Sequence, residues 1–349
     1  MLQIVPPGTR IDFLGRRHIA LAVSAFLLMA GLVAAVWKPG LKFGIDFAGG
    51  TEVAVRFDPG TSVDEEMLRS LASSCGVLDD PMSVVRYGET DRPEFLIRFN
   101  RTADGDAAAA SCPVDPADVE ELKRIAREAD PTGEADLDVV DLLILAMNER
   151  IGDAEILRVE YVGPRVGDEL RRDGAAAMAW AVFFILIYIA FRFSTRFAPG
   201  AVVALVHDIA ITAGILVVLG VEFDLRVLAA LLAIIGYSLN DTIIIYDRIR
   251  ENMELRTKFD VEDVLNRSVN QTLSRTLLTS FTTLGAVLCL LFLGGEVIRP
   301  FALAMAIGIV VGTYSSAFIA APTLLYLERT LGGGEGSGSA KKKARPKAA

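Results

Sequence analysis

The sequence predicts a polytopic α-helical membrane protein: six transmembrane helices, with an α+β domain of ferredoxin-like layout inserted between helices 1 and 2. Three observations predict it. The chain is 52% hydrophobic over 349 residues and its mean hydropathy is positive, which is more apolar surface than a soluble core of that length needs. Its apolar residues gather in runs at 19–37, 175–191, 201–220, 225–246, 276–293 and 301–327, each near the roughly 20 helical residues that cross a hydrocarbon core of about 30 Å. Between the first and second runs the pattern changes to short alternating stretches.

The first run follows Arg16, Arg17 and His18 and ends in a small apolar stretch at 32–35, as a secretory leader does. Its apolar length exceeds the roughly 7–15 residues of a leader's core, and five further spans follow. The expectation is an uncleaved anchor.

The segment 38–173 is long enough for a small domain. TEVAVRF at 51–57 alternates with period two, as a strand with one buried face does. A helix is expected over 63–73, capped by Thr61 or Ser62, with Asp64, Glu65 and Glu66 in its first turn, where acidic groups suit the helix dipole. Residues 84–87 and 95–99 read as strands joined by a turn around Gly88, Asp91 and Pro93; 137–150 reads as a helix and 155–162 as a last strand. The order strand, helix, strand, strand, helix, strand is the split βαβ arrangement of a ferredoxin-like domain. Residues 101–136 interrupt it, first rich in Ala, Asp, Gly and Pro, then charged and helical at 116–128. A solvated insertion at the domain's edge is expected there, rather than a partner site.

The remaining boundaries follow. Residues 1–37 hold the N-terminus and first span, and 174–330 hold spans 2–6 with a loop at 247–275. Val261, Val264, Leu265 and Val269 give that loop an amphipathic helix, lying on the membrane or beneath the bundle. Residues 331–349 form a Gly/Ser linker and a lysine cluster, expected to be disordered.

Charge sets the orientation. Basic residues flank the short segments: Arg10, Arg16 and Arg17; Arg192 and Arg196; Arg248, Arg250, Arg256, Lys258 and Arg267; and Lys341, Lys342, Lys343, Arg345 and Lys347. Both termini are therefore expected on the cytoplasmic side, with 38–173 outside, which in a bacterial inner membrane is the periplasm. Residues 38–173 carry 16 basic and 30 acidic side chains, a net −14 against −9 for the whole chain, which leaves the rest near +5. No basic patch interleaved with aromatics exists outside the membrane flanks, so nucleic acid is not an expected partner. Three cysteines are too few for a zinc site or a disulfide framework. Cys75 and Cys112 lie in the outside domain, where an oxidising compartment permits one bridge; two unpaired small side chains is the other reading. Cys289 reads as a packing residue.

The ionisable residues inside apolar runs carry most information, because each is costly in lipid unless paired or facing a polar cavity. Asn240 and Asp241 interrupt the fourth run; Asp241 stands six residues before Asp247, about 9 Å deep at the helical rise. Arg275 begins the fifth run. An antiparallel pair of helices brings these ends together, so Asp241 is expected to pair with Arg275 and to bind or release a proton. A purely structural ion pair is the alternative. Thr276, Thr279, Ser280, Thr282 and Thr283 add hydroxyls that either solvate a proton path or join helices. His207 and Asp208 in the third run lie on different helix faces: one extends the polar path, and His207 is expected as an interfacial anchor. Gly308 and Gly312 have GxxxG spacing, and Gly236 is a further candidate for close packing. The chain has no HExxH, GxSxG or GxxxxGK[ST] motif, and neither an enzyme activity, a cofactor nor a metal is expected.

Together the motifs resemble the SecF family of bacterial protein export. They are GIDFAGGT at 44–51, VGPRVGDEL at 162–170, HDIAITAG at 207–214, AALLAIIGYSLNDTIIIYDRIREN at 229–252, TLSRTLLTSFTTL at 272–284 and GTYSSAFIAAP at 312–322. The resemblance implies a fold like that of the proton-driven resistance-nodulation-division exporters, with SecD as the other half of a pseudo-symmetric unit. It implies binding to the SecYEG channel, with YajC and YidC as further associates, and use of inward proton flow to pull unfolded secretory polypeptides out of it. The family's intramembrane aspartate and arginine fall on Asp241 and Arg275, and its signature after the first span on Asp46, Gly49, Gly50 and Thr51. The insertion and the lysine tail depart from the family pattern. Two other functions compete: an assembly partner without a proton-coupling role, and a stand-alone exporter of lipid or drug.

Overall fold

The computed structural model describes residues 5–6, 9–37, 40–75, 83–87, 92–99, 112–129, 139–192, 197–255, 260–295 and 297–331. The chain divides into two units, residues 1–42 with 174–349, and residues 43–173. The first helix, α1 (Arg17–Val36), is apolar on almost every side, the pattern of a helix surrounded by hydrocarbon rather than by one protein face.

The unit 43–173 starts with a single helical turn, α2 (Ile45–Ala48), and continues as β1 (Gly50–Phe57), α3 (Glu65–Ser74), β2 (Ser83–Tyr87), β3 (Glu94–Phe99), α4 (Pro116–Ala129), α5 (Val139–Arg150) and β4 (Ala154–Val162). The four strands form one antiparallel sheet in the order β2-β3-β1-β4, with Val53 opposite both Ile97 and Val159 and a register shift at Ala54/Val55. Alternation sends Val53, Val55 and Phe57 of β1 and Phe95, Ile97 and Phe99 of β3 to one face, where Leu68 and Leu71 of α3 and Leu142, Leu143 and Met147 of α5 cover them. On the other face the buried Glu52 accepts from Arg158 at 2.6 Å and from Arg98, so its charge is matched across three strands.

Two expectations for this unit change. The cap of α3 is Asp64, whose carboxylate accepts from the Met67 N–H at 2.7 Å, and not Thr61 or Ser62; an aspartate there also meets the positive end of the helix dipole. The described part of the expected insertion is not a solvated excursion: Val119 of α4 is buried in the domain core and Cys112 is bridged to Cys75 at the end of α3. The rest of the insertion and the turn around Gly88 and Asp91 lie outside the described residues.

The remaining helices are α6 (Pro164–Arg192), which crosses the unit boundary at 173/174, α7 (Ala198–Val218), α8 (Leu225–Glu254), α9 (Val261–Leu293) and α10 (Arg299–Ser315); a wide π turn (Ser316–Ala320) then leads into α11 (Ala321–Leu331). Asp224 and Asp260 cap α8 and α9, accepting from the N–H groups of Val227 and Glu262. Among the described residues six helices are long and apolar enough to cross a membrane: Arg17–Val36, Pro164–Arg192, Ala198–Val218, Leu225–Glu254, Val261–Leu293 and Arg299–Thr330.

The stretch expected to be a separate amphipathic helix is the first half of α9, continuous with the fifth span. Its apolar stripe, Val264, Leu265 and Val269, is buried, and Leu265 and Val269 pack beneath the bundle with Ile249, Leu324 and Leu325. Residues 11–14 strap across it. Asn270 exchanges hydrogen bonds with the backbone of Ile11, and the Asn266 side-chain carbonyl accepts from Phe13 and Leu14 N–H at 2.9 and 3.2 Å. Glu262 accepts from both Arg17 and Arg329, at 2.8 and 2.6 Å. The strap hands Phe13 and Leu14 to the apolar cluster while satisfying its own backbone polar groups.

Candidate functional site

The site rests on the contact between α8 and α9. Neighbouring residues on a helix are about 100° apart, and this separates Asn240 from Asp241. Asp241 is buried, at 2% exposure, while Asn240 faces outward. Ser280 of α9 stands within hydrogen-bonding reach of the Asp241 carboxyl, and Arg275 acts on it as a nearby positive charge. The expected ion pair does not close: Arg275 is exposed, and among the described residues no side chain stands within 4.0 Å of its guanidinium as an ion-pair partner. The cause is again helix phase. Thr276 and Ser280, four apart, share the buried stripe of α9, and Arg275 is displaced from it by about one helical step.

One carboxylate oxygen of Asp241, Oδ2, has no hydrogen-bond partner among the described residues, and the same holds for the buried Tyr237 hydroxyl and Thr276 Oγ1. Tyr237 lies one turn before Asp241 on α8, and Thr276 one turn before Ser280 on the antiparallel α9. The unmatched polar atoms therefore continue the Asp241–Ser280 contact in both directions along the membrane normal. A buried, half-satisfied carboxyl flanked by hydroxyls is chemically suited to taking up and passing on a proton. Ser280 also meets Thr313 of α10 at 2.7 Å. Thr279, Thr282 and Thr283 instead donate to carbonyls of their own helix and do not extend the thread.

His207 and Asp208 occupy the middle of α7, and both are buried. His207 is not an interfacial anchor: as the tenth of 21 helical residues it is far from either end. Its Nε2 is 2.9 Å from Ser24 Oγ of α1 and its Nδ1 is 3.0 Å from Asp208 Oδ1. Asp208 Oδ2 accepts from Ser315 at 2.8 Å and from Ser238, and Ser24 in turn meets the Tyr314 hydroxyl at 3.2 Å. Ser316, which opens the π turn, bonds Thr242.

Sequence reasoning passed over Ser24, Tyr237, Ser238, Thr313, Tyr314 and Ser315. For Tyr237 and Ser238 the signal was available, as hydroxyl residues four and three positions before Asp241 inside an apolar run; nothing local marked the other four.

Close backbone approach places these polar groups. A Cβ on Gly308 would lie 2.3 Å from Ile234, and one on Gly312 would lie 2.9 Å from Ser238, so α10 rests directly on α8. Gly31 and Gly214 give α1 and α7 a similar crossing. Gly236 plays no such part: it faces open space, on the outward side of α8 with Asn240.

Comparison with known proteins decides the family. Residues 144–330 match the model described as protein export membrane protein SecD/SecF, C-terminal, and residues 34–61 match the SecD/SecF GG motif. The protein translocase subunit SecF of Desulfurispirillum indicum is 41% identical over 320 residues, 90% of this chain and 91% of that one. The chain belongs to the SecF family of protein export membrane proteins. The protein translocase subunit SecDF of Thermus thermophilus is 38% identical, over 91% of this chain and 39% of that one. The crystal structure of SecDF from that organism, a translocon-associated membrane protein, superposes with a TM-score of 0.72 at 35% identity, over 93% of this chain and 39% of that one. This chain thus spans about two fifths of SecDF.

The SecF-family glycine motif has a defined geometry. Asp46 lies in the turn α2; Gly49 follows with φ +76°, and Gly50, at φ +123°, opens β1 ahead of Thr51. A Cβ on Gly49 would stand 2.9 Å from Pro164 Cα, and one on Gly167 would stand 2.9 Å from Gly49 N. The glycines therefore do more than turn the chain. They let the start of β1 lie against the start of α6, inside the unit 43–173.

Proposed function

We propose that this chain is an accessory subunit of the Sec translocase which, together with SecD, uses the proton motive force to promote export of unfolded polypeptides across the bacterial inner membrane. The observation that carries the reading is Asp241: a carboxyl buried within a span, with one oxygen unmatched and hydroxyls continuing the thread on either side. A carboxyl placed so in a membrane marks a proton path more readily than a structural pair, which would close both oxygens. The SecF relatives support the translocase role.

A SecD partner is supported twice over. SecDF extends well beyond the region that this chain matches, and Asn240 and Arg275 are exposed at membrane depth, where lipid would leave both polar groups unmatched. On this reading SecD covers that face, and the assembled pair docks on the SecYEG channel. YajC and YidC associate with the same assembly. The unit 43–173 is taken as a ferredoxin-like periplasmic domain, supported by the strand order β2-β3-β1-β4 with α3 and α5 over one face. The basic flanks support a cytoplasmic position for both termini.

The test is export of a signal-bearing protein in cells that depend on this chain. Asp241→Asn is expected to remove the stimulation of export while co-purification with SecD stays intact; normal export in that variant refutes the role.

A further inference from the structure

The cluster around His207 and Asp208 is not used by the function just proposed, and its hydrogen count carries a consequence. The Tyr314 hydroxyl donates to the Ala20 carbonyl at 2.7 Å, so its bond with Ser24, at 3.2 Å, takes the single hydrogen of Ser24. With that bond made, Ser24 has none for His207 Nε2 at 2.9 Å, and the ring donates there. At the other end Asp208 Oδ2 accepts from Ser238 and Ser315. The contact of 3.0 Å between His207 Nδ1 and Asp208 Oδ1 needs a hydrogen of its own, on either atom. In that arrangement the pair holds two hydrogens and is neutral, as its burial among four helical segments favours.

Loss of one proton leaves a charge of −1 on the pair. Nδ1–H then donates to the carboxylate, Ser24 must turn to donate to Nε2, and the Ser24–Tyr314 bond is given up. We propose that His207 and Asp208 form a second exchangeable-proton site, separate from Asp241, whose loading is read by α1 through Ser24 and Tyr314.

The groups that face the pair are Ser24 of α1, Ser238 of α8, and Tyr314 and Ser315 of α10. Of the charged or titratable groups on these and the adjoining helix, Tyr237 and Asp241 stand nearest to Ser238 on α8, Arg17 and His18 begin α1, and Arg275 lies on α9; among the described residues none of these pairs with His207 or Asp208. The site touches α1 and the residues that lead into the π turn, whereas Asp241 contacts α9. The two sites therefore load different helices, and Ser238 and Asp241 on α8 join them. This second site rests on the proton-coupling reading for its purpose but not for its existence.

The chain has two histidines, His18 and His207, so a His18→Gln background isolates one ring. The experiment records the ring nitrogen shifts of ¹⁵N-histidine-labelled full chain in lipid nanodiscs across a series from about pH 5 to 8. Nε2 is expected to pass from donor to acceptor as the pH rises. Asp208→Asn should abolish that change, and Asp241→Asn should leave it in place. Ser24→Ala and Tyr314→Phe, which each remove one hydroxyl, should keep the fold and move the midpoint by about one pH unit. Ring nitrogens that stay constant across the range, or a midpoint untouched by Asp208→Asn, Ser24→Ala and Tyr314→Phe alike, overturn the proposal. A titrating His207 together with undiminished export by Asp241→Asn would refute the coupling role and leave this site standing.

Discussion

Replacing Gly308 by alanine is the sharpest test of the helix contact that holds both polar clusters in place. The new Cβ would lie 2.3, 2.4 and 2.9 Å from three side-chain carbons of Ile234, a fully buried residue. Carbon contacts settle at roughly 3.5–4.0 Å, so the whole Ile234 side chain must move or α10 must part from α8. Overpacking of this kind costs about 1–3 kcal/mol. The assay is reversible SDS-induced unfolding of the full chain in mixed micelles. Ile234→Ala alone leaves a cavity costing about 2–5 kcal/mol. In the double variant the alanine at 308 enters that space, so the combined loss should fall short of the sum by at least about 1 kcal/mol, within the range found for residues in contact. Additive losses, or an unaffected Gly308→Ala, would refute the close approach of α10 to α8.

Reduction of the Cys75–Cys112 bridge should lower the stability of the unit 43–173 by about 4 kcal/mol, since its ends are separated by 37 residues; denaturant unfolding with and without reductant measures it. Gly49→Ala should be strained twice, by a positive φ and by the approach to Pro164, and should reduce folded yield by a cost of about 1–3 kcal/mol. The Asn266 amide and then the Gly15 N–H hold the Asp12 carboxyl below the usual carboxylate range. A lowered value gives stability that is present above the unfolded carboxylate pKa, near 3.8, and is lost as the pH falls through the folded one. The strap at 11–14 should therefore loosen in acid, read as faster cleavage by an acid-active protease, and Asp12→Asn should remove that pH dependence.

The spans and the buried aspartate could be read in the sequence because hydropathy sums over about 20 residues and a carboxyl inside such a run is conspicuous. Helix phase was less accessible. Asn240, Asp241 and Arg275 stood together in the reading, but a one-residue step turns Asn240 outward, and Arg275 lies off the stripe of Thr276 and Ser280. Long-range pairing was hidden altogether. Nothing local in the run 19–37 marks Ser24 as the partner of His207, nor Asn266 and Asn270 as the groups that satisfy the backbone at 11–14. The glycines show both outcomes, since Gly308 and Gly312 meet α8 while Gly236, equally small, faces away. In the domain, period-two alternation located the strands, but the choice between a bridge and two unpaired cysteines depended on where the segment before α4 folds back.

The central claim, that Asp241 couples proton movement to export, is tested most directly in inverted membrane vesicles that carry the translocase with this chain and SecD, loaded with a secretory precursor. A pH gradient is imposed and completion of translocation is timed. The account predicts that the gradient accelerates completion with the wild-type chain and has no effect with Asp241→Asn, although the variant assembles normally with SecD. Equal acceleration by the gradient in the two would contradict it.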